Sequence, residues 1–176
     1  MTEKGSLLDV PLVSRVRRNH ALEHATMNVL GERHKALRLV GRSSVGGFYI
    51  YGDVSAEDVI AAAEEGLQRL KAGRREMAVH PTCGTNLAVA GILAGVGAFL
   101  ALGGLSRNRP KNLFQSLIRL PMACTVATVG VLLAQPLGPF LQARVTTEAD
   151  VGDMHIVDVA QERRAGILVH HVRTGG

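Results

Sequence analysis

The stretch His20-Ala21-Leu22-Glu23-His24 sets two imidazoles four residues apart with a carboxylate beside them. On a helix, that spacing puts both rings on one face, one turn apart, so both could reach a single cation. A neutral imidazole nitrogen is a good zinc ligand. Zinc also makes a bound water acidic enough for a neighbouring base to take its proton. Glu23 lies on the same edge and is the candidate base. The alternative is a pair of unrelated histidines on an amphipathic helix, since the motif is only five residues long.

The surrounding residues favour that helix. Residues 14–32 contain no proline, and their one glycine is Gly31. Ala21, Leu22, Ala25 and Val29 form an apolar arc roughly opposite His20, Glu23, His24 and Met27. The expectation is a helix with one side in a core and a polar edge lining a cleft.

Composition bounds what such a site could serve. The chain has 176 residues, 47% apolar side chains and a net charge of +5, enough for one modest domain plus an appendage. Aromatic residues make up 3% and tryptophan is missing, so stacking surface for single-stranded nucleic acid is scarce. The basic residues are scattered, and a membrane surface accounts for them as well as nucleic acid does. Nucleic acid is therefore not an expected partner. Residues 1–11 lack the charged-then-apolar pattern of a secretory leader. The two cysteines, Cys83 and Cys124, do not make a disulfide framework. Cys124 lies in an apolar run and reads as a small buried hydrophobe.

Three regions separate along the chain. In residues 1–85 the first helix is followed by short strands at 36–40 and 48–51, joined by a Gly/Ser-rich loop at 41–47. Arg42, Ser43 and Ser44 in that loop read either as a hairpin turn or as donors to a substrate oxygen. A second helix spans 55–72, opened by Ser55-x-x-Asp58 and striped by Val59, Ile60, Ala63, Leu67 and Leu70. Residues 76–79 read as a strand running into His80-Pro81-Thr82-Cys83-Gly84-Thr85.

Residues 87–105 carry no charge and are long enough to cross a bilayer, with Gly91, Gly95 and Gly103 on a small-residue face. A basic loop at 106–116 follows. A second apolar run at 117–141 holds Arg119, Pro121, Pro136 and Pro139, and reads as a tilted or broken span. Residues 154–160 and 166–173 read as two strands able to pack on or extend the first region's sheet. There, His170 and His171 face opposite ways and, with His155, read as surface residues.

The expected fold is thus a small α/β domain of α+β type with an antiparallel sheet (1–85). A transmembrane helical hairpin (86–142) follows, then a C-terminal β-ribbon on the same side as the first domain (143–176).

This order of elements resembles the metal-binding core of S-ribosylhomocysteine lyase, the autoinducer-2 synthase. That family carries H-T-x-E-H on a helix, a segment ending in G-F-Y, a helix, and a strand running into C-G-T. The matching pieces are His20-Ala21-Leu22-Glu23-His24, Gly47-Phe48-Tyr49, residues 55–72, and Cys83-Gly84-Thr85. The resemblance implies that His20, His24 and Cys83 hold a metal and that Glu23 is the general acid/base. A thiolate suits zinc and leaves one position open in a His2Cys set. His80, three residues before Cys83, reads as a loop residue or as a ligand instead of or beside it.

The lyase family's second catalytic cysteine falls on Ser44. A hydroxyl has a far higher pKa than a thiol and shuttles protons poorly. The lyase also lacks an apolar hairpin after its C-G-T, so its substrate is not carried over. The H-x-x-E-H order is also that of inverted-motif zinc peptidases, whose third, glutamate ligand has no clear counterpart here. From Arg18-Asn19-His20 through the hairpin, the chain is similar to an uncharacterised bacterial membrane-protein family.

The functional expectation is a membrane-anchored, peptidase-like hydrolase using Zn2+ or another divalent transition metal on a membrane-proximal peptide. A catalytically silent membrane scaffold or assembly factor with a structural metal is the alternative. Neither a phosphate-cradling loop nor a dinucleotide fingerprint is present. The expected location is a bacterial inner membrane, with both soluble parts cytosolic and the 106–116 loop outside. The glycine-rich span offers a route to a homo-oligomer.

Overall fold

The computed structural model describes residues 7–35, 37–104 and 112–176. The chain forms two compact units, one from residues 1–80 with 142–176 and one from residues 81–141.

In the first unit, helix α1 (Pro11–Arg33) begins with proline in its first turn and ends with a basic residue in its last, as a helix prefers. Helix α2 (Ala56–Lys71) is capped by Ser55, whose hydroxyl accepts the Asp58 N–H at 3.0 Å. Glu57 and Asp58 open it, and Arg69 and Lys71 close it. Its buried stripe is Val59, Ala62, Ala63, Gly66, Leu67 and Leu70; Ile60, expected inside, is exposed. Gly66 lets α2 approach the α1 backbone, because a Cβ there would sit 3.0 Å from the Ala25 carbonyl carbon.

The sheet is antiparallel, in the order β1 (Val40–Ser44), β2 (Gly47–Tyr51), β4 (Ile167–Gly175), β3 (His155–Arg164). The C-terminal ribbon extends the first sheet: β4 pairs directly with β2, Phe48 opposite Val172 and Ile50 opposite His170. A turn through Ala165 and Gly166, both at positive φ, joins the ribbon's strands. α1 and α2 pack on each other and against the sheet. The core between them holds Leu22, Val29, Leu30, Phe48, Ile50, Val59 and Val172, each at most 1% exposed. Burying such side chains supplies roughly 1.5–3 kcal/mol apiece.

Three expectations need correction here. The polar stretch expected as a loop at 41–47 is mostly strand, with a turn only at 45–46. β1 does not alternate apolar with polar because its inward residues, Gly41 and Ser43, face a carboxylate rather than a core. Residues Arg75–Ala78 form a 3-10 turn instead of a strand. There the Asn28 amide binds the carbonyls of Met77 and Val79, replacing a neighbouring strand. His170, expected at the surface, is fully buried because β4 is an interior strand.

The second unit consists of α3 (Gly84–Ala101) and α4 (Leu113–Leu141), both long and apolar enough to cross a membrane. α4 runs unbroken through Pro121, Pro136 and Pro139, as apolar helices tolerate. The helices touch at glycines: Gly130 lies against the backbone of Leu93 and Ala94, and Gly97 against Val126. Large apolar side chains of this unit point outward, among them Leu87, Phe99, Phe114, Leu132 and Phe140. Cys124 is exposed in that apolar surface rather than buried. Residues 105–111, which include the basic loop's Arg107, Arg109 and Lys111, lie outside the described residues.

Candidate metal centre

His20 and His24 project from α1 with ring centroids 4.3 Å apart. His24 is buried and His20 half-buried. Both rings are oriented by backbone carbonyls. His20 Nδ1 donates to Thr146 O at 2.9 Å, and His24 Nδ1 donates to Ala78 O at 2.7 Å. Each donation fixes the tautomer and leaves an Nε2 lone pair, the outer arrangement that metal-binding histidines carry. His24 Nε2 is buried and makes no hydrogen bond. A buried polar nitrogen without a partner costs about 1–3 kcal/mol, which a ligated cation would relieve.

Two chain segments supply those carbonyls. Thr146 belongs to a π turn, Gln142–Thr146, and the Arg17 guanidinium holds the carbonyls around it. Arg17 binds Arg144 O, Val145 O and Thr147 O at 2.8–3.3 Å, leaving Thr146 O to His20. Ala78 ends the 3-10 turn that Asn28 fastens to α1. His80 follows, its ring centroid 5.9 Å from that of His24. Burial, and secondarily the neighbouring His24, push the His80 imidazole down to about 4, so it is neutral at pH 7.

Cys83 lies three residues beyond His80. It caps the start of α3, where its sulfur accepts the Thr85 N–H at 3.4 Å, and a helix N-terminus favours negative charge. Among the described residues, His20, His24 and Cys83 are the group whose side-chain types could hold a metal ion.

Glu23 is 4% exposed and turned toward β1. It receives the Ser43 hydroxyl on Oε2. Gly41 is required for that placement, since a Cβ there would fall 2.0 Å from Glu23 Oε1. Strand alternation puts Ser44 on the opposite face, where its hydroxyl donates to Gly47 O at 3.1 Å. The structure thus brings Ser43, not Ser44, to the carboxylate. Asn19 sets this register: its amide donates to Ser44 O and Val45 O, and its Oδ1 accepts the Thr174 hydroxyl.

Sequence reasoning missed Arg17 and Asn19 as parts of the site, and weighed Ser43 as a turn residue or a donor to a substrate oxygen rather than as the partner of Glu23. Arg17 had a signal, standing one turn before His20. The two orienting carbonyls had none, because any residue type supplies one.

A search of solved structures finds no match. A curated Picosynechococcus sp. protein (strain ATCC 27264 / PCC 7002 / PR-6), described as an uncharacterized protein, is 36% identical over 141 residues. That match covers 75% of this chain and 65% of the relative, so the chain spans about two thirds of the relative's length. A family profile matches residues 15–159, a range that takes in His20, His24, Cys83 and both apolar helices. With most of its length matched, the chain belongs to the family described as a domain of unknown function, DUF6391.

Proposed function

We propose that the protein is a membrane-anchored, metal-dependent hydrolase of peptidase-like logic. His20, His24 and Cys83 would hold one divalent transition metal, zinc best suiting the nitrogen and sulfur donors. The observation that carries the reading is the pair of Nδ1–H donations to Thr146 O and Ala78 O. They orient both imidazoles as metal-binding histidines are oriented, and the buried His24 Nε2 makes no hydrogen bond.

The cation would supply Lewis acidity at an open position. The chain's own contribution is to fix the imidazoles, exclude bulk water and hold a proton at Glu23. Glu23 would take the proton of the attacking water and pass it to the leaving amine, so that hydrolysis balances with one water consumed. The two apolar helices support attachment to a bilayer. A bacterial inner membrane, a cytosolic domain and a membrane-proximal peptide substrate complete the proposal. Gly91 and Gly95 meet nothing within 4 Å at their Cβ positions, and self-association through that face is the proposed oligomer contact. The lyase reaction is left out, because Ser44 points away from Glu23.

A second reading rests on Glu23 itself. Its carboxylate is buried and engaged by Ser43, which suits a structural metal in a catalytically silent scaffold. Glu23→Gln separates the two. Retained metal and fold with loss of peptide cleavage supports the hydrolase. Unchanged metal binding, with no cleavage by wild type across a membrane-peptide panel, supports the scaffold.

A further inference from the structure

Gln142 is fully buried although it immediately follows the apolar helix α4. A buried amide must find partners or destabilise the fold. Its Oε1 accepts the backbone N–H of His80 at 2.9 Å. Its own carbonyl accepts the Thr147 N–H at 2.9 Å and the Thr147 hydroxyl at 2.8 Å. Thr147 is itself buried.

These contacts join two segments far apart in sequence. On one side, His80 lies two residues after Ala78, whose carbonyl orients His24. On the other, Gln142 opens the π turn that ends at Thr146, whose carbonyl orients His20. One side chain therefore ties together the two backbone pieces that aim both candidate ligands. Residues 80 and 142 are also where the chain leaves and re-enters the first unit.

We infer that Gln142 is a positioning residue of the metal centre, setting metal affinity through the carbonyls of Ala78 and Thr146 without touching the metal. This rests on the metal reading above. Losing a partner that orients a metal-bound histidine costs about 10–100-fold in affinity. Gln142→Met keeps volume and removes the acceptor. Gln142→Glu restores an oxygen that can accept the His80 N–H. Thr147→Val, nearly isosteric, removes the hydroxyl that pins the π turn.

The experiment is a chelator competition with Co2+ and Zn2+ on the detergent-purified full chain, read together with the Co2+ ligand-field spectrum. Circular dichroism and metal-free thermal unfolding report the fold. The expected result is a loss of affinity of at least about tenfold in Gln142→Met with an altered Co2+ spectrum. Gln142→Glu should recover most of both, and Thr147→Val should show a smaller loss in the same direction. Should Gln142→Met fail to fold, the Thr147→Val and Gln142→Glu comparison decides. Wild-type affinity and spectrum in Gln142→Met, or in Thr147→Val where only that variant folds, would overturn the inference alone. No metal binding by wild type would overturn the metal reading and this inference together.

Discussion

Two histidine pairs in this chain end in opposite circumstances. His20 and His24 stand one turn apart on α1, tilted toward each other at 4.3 Å, each held by a backbone carbonyl. His170 and His171 are adjacent on β4 and face opposite sides of the sheet. His171 stacks on Tyr49 at 4.1 Å, and His170 lies in the core, its ring nitrogens out of good hydrogen-bond geometry. Residue type does not separate the pairs. Helical spacing makes the first convergent, and the carbonyl on each Nδ1 fixes where the second nitrogen points. Burial alone, as at His170, only disfavours the charged ring.

The sharpest way to break this comparison is to remove one member of each pair. His24→Ala is expected to weaken Zn2+ or Co2+ binding beyond the ~100-fold range of outer-sphere losses, measured by chelator competition. His170→Ala should leave that affinity unchanged. Equal losses in both variants would mean that general stability, not ligation, controls metal uptake.

Gly41→Ala tests the carboxylate beside the first pair. The added methyl overlaps Glu23 Oε1, so the buried side chain or β1 must move. We expect destabilisation of about 1–3 kcal/mol in chemical unfolding. Stability within error of wild type would show that the space is less constrained.

His170→Leu sharpens the contrast through pH. Burial lowers the folded-state pKa of His170, with the Val54 backbone offsetting part of the effect. The unfolded chain then binds the proton more readily. The stability tied to the neutral ring is complete above the unfolded value near ~6.5 and is lost as pH falls through it toward the folded value. His170→Leu should gain about 1 kcal/mol at pH 7.5 by removing poorly partnered buried nitrogens. The gain over wild type should be larger at pH 5. A pH-independent difference would show that His170 does not titrate in this window.

Ser44→Ala carries the smallest expected effect. Its hydroxyl only closes the hairpin turn on the outward face, so metal affinity should be unchanged and unfolding shifted by no more than about 1 kcal/mol.

How much of this was legible in the sequence follows the same contrast. Elements whose own side chains carry the signal could be read directly. α1 and α2 announced themselves by periodicity, α2 also by its Ser55 cap, and the apolar helices by composition. The His20/His24 spacing was visible for the same reason. What could not be read was made by partners distant in sequence. β1 took its inward pattern from Glu23, the 3-10 turn at 75–78 from Asn28, and the burial of His170 from strand order. The prolines of α4 suggested a tilted or broken span, and of these the break is absent, since an apolar helix does not need one. The choice between Ser43 and Ser44 hung on a register set by Asn19, which no local pattern discloses.

The central claim is that His20, His24 and Cys83 share one cation. X-ray absorption at the metal edge of the zinc-loaded full chain tests it most directly. The account predicts two nitrogen ligands at about 2.0–2.1 Å and one sulfur at about 2.3 Å, with the sulfur shell lost in Cys83→Ser. A zinc spectrum without sulfur, or protein that retains no metal after gel filtration, would contradict it.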